Sequence, residues 1–198
     1  MRFLAAASLV LLAAPLLAQL PGTADPARVV SGTYKVEPAH TQVLFTVNHL
    51  GFTEYTGQFR QPTGRFVLDR ARPANDKLDV SFEIGKVSTT VSALDEHLQK
   101  PEFFDAAKFP AGHFVSTRVT VNGNTATIAG DLTLKGVTKP VVLQARFIGA
   151  GNNPLSKKPT IGFRATTSIQ RSQWGINYGL PVVSDKVDLT INAAFEPA

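Results

Sequence analysis

The chain has 198 residues, 43% of them hydrophobic and 18% charged, with a net charge of +5 and no cysteine. That length suits one domain. The missing cysteines exclude a disulfide framework and a lipidated amino-terminal cysteine, and so modest a charge surplus, without a basic run interleaved with aromatics, argues against a nucleic-acid surface.

Residues 1–18 join a charged start, Met1 and Arg2, to an almost unbroken apolar run ending at the small residue Ala18. This is the composition of a secretory signal peptide, and the run is shorter than the roughly 20 apolar residues of a spanning helix. A periplasmic or secreted protein is expected once it is removed. Residues 19–31 contain Pro21, Gly22 and Pro26 and show no periodicity. They are expected as a flexible leader, and residues 32–197 as one domain.

Structure begins near Tyr34 and in residues 40–51, where Val43, Phe45 and Val47 alternate with Gln42, Leu44, Thr46 and Asn48, the period of two of a strand with one strongly apolar face. His49 continues the odd-numbered face. Residues 52–69 carry Gly57 and Gly64 among Tyr55, Phe59, Phe66 and Leu68, and glycines within a strand pattern mark bends that a curved sheet needs. Residues 77–87 place Leu78, Val80, Phe82 and Ile84 on one face. Residues 112–121, a turn at Asn122-Gly123, and residues 125–134 read as a hairpin. A turn at Lys135-Gly136 leads into residues 140–147, and a loop over 149–159 separates them from the alternating run 161–170. The last run, 183–195, sets Val187, Leu189, Ile191 and Phe195 on one face.

Residues 90–114 break this pattern. Ser92 and Asp95 predict a capping box at the start of a short helix, Leu94 and Leu98 share one of its faces, and Pro101 stops it. Phe103, Phe104, Phe109 and Phe114 follow, too much apolar area to leave in water. The expectation is an all-β chain: an eight-stranded antiparallel barrel with a short helix and an aromatic crossing loop at about residues 90–111, presenting rings to the interior. Eight strands close around either packed side chains or one small ligand; two stacked sheets are the alternative.

Several stretches, EPAHTQVLFTVNHLGF with Gly57 and Phe59 beyond it, DEHLQKPEFFDAAKFP, GDLTLKGVTKPV, and RSQWGI with VSDKVDLTI, resemble in order and spacing the YceI-like family of secreted lipid-binding or polyisoprenoid-binding proteins. The resemblance covers roughly residues 32–195. It implies a lipocalin-like barrel around a long apolar cavity holding an isoprenoid or similar lipid. Thr41 stands where the family usually has Ser, and Leu94 where a basic residue often precedes the Asp of the DEHL motif.

The residues expected to meet such a ligand are Phe45, Val47, His49, Phe82, Phe103, Phe104, Phe109, Phe114, Phe163, Arg171 and Trp174. Arg171 suits a phosphate or carbonyl head group, or else backbone carbonyls; Trp174 suits stacking at the mouth, or ordinary packing. Thirteen phenylalanines against one Met and one Trp favour a rigid aromatic interior. Burying a tail of about 40 carbons at roughly 0.8 kcal/mol per methylene exceeds the affinity ceiling. Because the tail leaves a membrane already in oil, the net exchange is small, as befits a carrier or store of a long-chain lipid such as a polyisoprenoid or quinone.

Two rivals stand beside that reading. A metal-dependent enzyme finds little support, since His40, His49, His97 and His113 show no close ligand spacing and no G-x-S-x-G occurs. A solid structural barrel acting through its surface is the other. No cofactor is expected beyond the bound lipid; a transient membrane contact and a homodimer are both compatible with the sequence.

Overall fold

The computed structural model describes residues 20–198, so the expected signal peptide lies outside the described residues. Eleven antiparallel segments form one sheet: β1 (Gly32–Val36), β2 (Gln42–His49), β3 (Thr53–Arg60), β4 (Thr63–Leu68), β5 (Lys77–Glu83), β6 (Val87–Ser88), β7 (Ala111–Asn122), β8 (Thr125–Leu134), β9 (Val137–Asn152), β10 (Pro159–Gln170) and β11 (Lys186–Pro197). They occupy eight positions of a closed barrel, because β1 with β2, β3 with β4, and β5 with β6 are successive halves of three bent strands. Each position neighbours the next in sequence, and β1 pairs with β11 through Tyr34 opposite Pro197 and Val36 opposite Phe195 to close the ring. Closure leaves no long unpaired edge.

The bends have local causes. Between β1 and β2 the Glu37 carboxylate accepts the amides of Ala39 and His40 at 3.1 and 2.9 Å, and the buried Thr41 hydroxyl accepts the Ala194 amide at 3.0 Å. Between β3 and β4, Gln61 adopts a φ of 54° beside the fully buried Pro62, whose ring has no amide to give a ladder. A 3-10 turn, Ile84–Lys86, separates β5 from β6.

Two buried clusters follow. Val29, Tyr34, Val36, Leu68, Phe147, Ala150, Ile161 and Phe195 fill the base, with Phe66 and Phe163 against them. The larger cluster includes Val43, Phe59, Phe82, Phe114 and Trp174 and lies in the upper half. Residues 20–31 do not hang free as expected. Thr23 exchanges two backbone hydrogen bonds with Ala150, at 3.1 and 2.9 Å, and Val29 is buried in the base, so the segment lies across that end. Gly149 and Gly151 permit this close approach, for a Cβ on Gly151 would stand 1.9 Å from the Pro21 carbonyl oxygen.

Turns and ends depart from expectation in register. The β7–β8 loop is Gly123-Asn124, since Asn122 already pairs with Thr125 and Gly123 has a φ of 56°; glycine leading the pair is the II′ pattern. Lys135 and Gly136, at φ 47° and 75°, form the β8–β9 turn as expected. Strand β9 runs on to Asn152, into the stretch expected as a loop.

Candidate functional site

Below β6 the third bent strand pairs with β7, but β6 itself meets only β3. Residues 89–110 fill the gap this leaves in the upper wall. Helix α1 (Ser92–Leu98) sits here, held differently from the predicted capping box. Ser92 makes no capping bond, Val91 occupies the cap position, and the Asp95 carboxylate instead accepts the amide and hydroxyl of Thr89 at 2.6 and 2.7 Å. An acid reaching back to the preceding loop serves the same end, anchoring the first turn. Leu94 and Leu98 then face inward, and Phe104, whose amide donates to the Leu98 carbonyl at 3.1 Å, follows them.

Inside lies an apolar cavity of about 370 Å³, lined along its height by β2, β3, β5, β11 and the crossing segment. Of the residues expected to meet a ligand, Phe45, Val47, His49, Phe82, Phe103, Phe104, Phe114 and Arg171 line it. Three do not. Phe163 belongs to the base, packed on Phe66, Phe147 and Phe195 with ring centroids 5.7 to 6.1 Å apart. Phe109 turns outward over Gly136, with the Lys108 ammonium 5.2 Å from its ring. Trp174 is buried in the wall, its indole nitrogen donating to the Leu132 carbonyl at 3.1 Å, and does not reach the mouth.

The cavity stays open because its rings lie flat against the sheet. Phe45 faces Gly57 across β2 and β3, Phe82 faces Gly112 across β5 and β7, and Phe114 covers Gly130 on β8. A Cβ at any of these glycines would come within 2.4 Å of the ring, so each missing side chain is space that the phenyl group occupies. Phe59 links these rings, 5.7 Å from Phe45, 4.8 Å from Phe82 and edge-on to Phe104 at 5.5 Å. Sequence reasoning placed Phe59 on a strand but not in the site; a cross-strand register would have revealed both it and the phenylalanine–glycine pairs.

Polar groups gather at the upper end. His49 is exposed beside the Tyr55 ring, 6.0 Å between centroids. His97, weighed in sequence only as a metal ligand or acid/base partner and not as a cavity residue, meets Glu102 at 3.0 Å and contacts the Phe103 and Tyr178 rings at 4.9 and 5.2 Å. Its own backbone amide, then His97, holds the Glu102 carboxyl below the ordinary carboxylate range. Arg171 takes the backbone duty: its guanidinium donates to the carbonyls of Ser184, Ile176, Tyr178 and Val183 at 2.8 to 2.9 Å. It thereby shapes the loop 175–185 that forms one side of the mouth. Burial pushes its pKa down and the nearby Asp185 opposes that shift. Four of the five guanidinium hydrogens are engaged, leaving one on Nη2. His40 and His113 pair with Glu37 and Asp79 elsewhere, so the histidines do not converge. Among the described residues no three metal-ligating side chains cluster.

A family model described as the YceI-like domain matches residues 34–195. The chain belongs to the YceI-like family. Protein YceI of Escherichia coli is 39% identical over 165 residues, which are 82% of this chain and 86% of the relative. Among solved structures, Burkholderia cenocepacia BcnA superposes with a TM-score of 0.72 at 20% identity, over 80% of this chain and 98% of the other. A polyisoprenoid-binding domain from Saccharophagus degradans gives 0.65 at 14%, over 83% and 98%. At such identities the likeness is one of fold.

Proposed function

We propose that this YceI-like protein binds and carries the apolar tail of a long-chain lipid, a polyisoprenoid, quinone or similar molecule, within the barrel. The observation that carries the reading is a deep, almost wholly apolar cavity, floored by phenylalanines, with its free polar groups confined to one end. An apolar shaft with a polar mouth orients a molecule that has an oily tail and a small head. At about 30 Å³ per water-sized group, the cavity holds about a dozen methylene-sized groups. At roughly 0.8 kcal/mol each they supply about 10 kcal/mol of gross transfer from water. Return of the tail to a bilayer recovers the same term, so loading and release are near balance, which favours carriage over irreversible storage.

The binding described for the Saccharophagus relative supports the same cargo class. Among the described residues that line the cavity no carboxylate stands beside a histidine, and binding without turnover is the reading proposed. The leader composition of residues 1–18 supports a periplasmic or secreted location. Organic extraction of the purified protein followed by mass spectrometry tests the proposal: a stoichiometric long-tailed lipid is expected. Protein that is empty as isolated and acquires no lipid when incubated with total lipid vesicles would overturn it.

A further inference from the structure

The hairpin joining β2 to β3 projects beyond the cavity mouth, and its tip is built against the ordinary rules of turns. Leu50 and Gly51 both have positive φ, 59° and 73°, and the Phe52 amide donates to the His49 carbonyl at 3.1 Å. Such a turn favours Asn or Gly at its first central position, and a bulky aliphatic residue there is strained. Leu50 is nonetheless 48% exposed and Phe52 is 85% exposed. The Leu50 amide donates to the Val182 carbonyl at 2.8 Å, so the two apolar tips sit together, and Val182 is 57% exposed. Tyr178, 52% exposed, adds a ring from the same loop and also lines the cavity. Strain and exposure at one spot are retained where they serve a surface.

We propose that the Leu50–Phe52 tip with Val182 and Tyr178 is a membrane-docking rim, which seats the cavity mouth on a lipid bilayer so that a tail passes without crossing water. The occupant follows from continuity: the rim leads directly into the apolar lining through His49, Tyr178 and Val183, and a water-insoluble tail is supplied by a lipid phase. The charges beside the rim are paired, His97 with Glu102 at 3.0 Å and Lys186 with Asp188 at 2.9 Å. Docking therefore runs on apolar insertion and depends little on anionic lipid or salt. The inference rests on the carrier reading above for its purpose, but its test is separate.

Flotation with phosphatidylcholine vesicles, with and without anionic lipid, measures docking. The parent is expected to float, and Phe52→Ser to lose about tenfold or more of its partitioning, the size expected when one aromatic ring no longer enters the apolar layer. Leu155→Ser is the control: Leu155 is 83% exposed at the opposite end, on the β9–β10 hairpin, and the change should leave flotation unaltered. Leu50→Asn should weaken flotation while leaving the melting temperature equal or higher, because Asn accepts the left-handed backbone. A parent that does not float, or Phe52→Ser floating equally, overturns the proposal. So does equal loss in Leu155→Ser, or a Phe52-dependent dimer without vesicle binding. Lipid extraction from the same preparations separates the two readings: an empty protein with Phe52-dependent flotation would remove the cargo and keep the rim.

Discussion

Gly57→Ala tests whether the phenylalanine–glycine pairs hold the cavity open. Gly57 does not have positive φ, so alanine brings no backbone strain. Its new Cβ would stand 2.3 Å from Cζ of Phe45, against the 3.5 to 4.0 Å of ordinary contact, so the ring must retreat by about 1.2 to 1.7 Å. Strand β3 blocks one direction, and the free direction is the cavity. A ring face of about 50 Å², a quarter to a third of what a phenylalanine buries, sweeps out about 75 Å³. That removes room for about two methylene-sized groups, or about 1.6 kcal/mol of cargo contact, a loss of about 15-fold in affinity. Stability should fall by less than the roughly 1 to 3 kcal/mol of ordinary overpacking, because the displaced ring has space to enter. Displacement of a fluorescent long-chain fatty acid measures the affinity, and thermal unfolding followed by circular dichroism measures the stability. Phe45→Leu in the same chain should restore most of the affinity. If Gly57→Ala binds the probe as tightly as the parent, the rings do not control the volume and the argument fails.

Three further outcomes are expected. Phe195→Ala removes the ring that floors the cavity and anchors the base; it should cost about 3 to 5 kcal/mol and shift the extracted lipid towards longer tails, and an unchanged length profile by mass spectrometry would show that the floor does not set the length. Arg171→Met strands four carbonyls beneath the mouth loop. At about 1 kcal/mol or more for each it should lower stability by roughly 4 kcal/mol, read as a melting shift and as proteolysis within residues 175–185. Asp76 is buried and desolvation raises its carboxyl, while the carboxylate accepts the Asp69 amide at 2.7 Å. An acid raised in the folded state binds more protons folded than unfolded, so its contribution is most favourable below the unfolded value and declines as pH rises through the folded one. Asp76→Asn, which keeps an acceptor oxygen, should therefore gain on the parent in melting temperature at about pH 7 relative to about pH 4; an equal difference at both would refute the burial argument.

The alternation of Val43, Phe45 and Val47, or of Val187, Leu189 and Ile191, was legible because strands around a single interior turn one face inward, and all six of these residues line the cavity. Height along the barrel was not legible. Phe163 shares its alternating run with Ile169, yet only Ile169 reaches the cavity, since the side-chain period says which face and not which end. Trp174 could not be placed from its neighbours because its partner, Leu132, lies 42 positions away. The Ser92 box failed for a local reason: the extended Val91 takes the cap and Asp95 turns to Thr89, so a serine and an acid three apart fit two arrangements equally well. The docking of residues 20–31 rests on scattered contacts, a bridge to Ala150, the buried Val29 and hydrogen bonds from Arg70 to Ala27 and Ser31, which leave no periodic trace.

The three strand breaks explain why one end is solid and the other hollow. They are neighbours in register: Lys35 and Gln42 flank the first and pair with Arg65 and Arg60 on either side of the second, while Ser81 and Val87 flank the third and pair with Thr63 and Phe59. Three adjacent strands therefore bend at one height. Below it β1, β4 and β5 stay in the closed ring, and Tyr34 and Phe66 of the first two meet Phe147, Phe163 and Phe195 as a floor. Above it β2, β3 and β6 splay, β6 parts from β7, and the crossing segment is drawn into the wall. Cavity volume thus depends on the bends together with the phenylalanine–glycine pairs that hold the rings against the wall, and the rim hairpin is the far end of the same splayed pair.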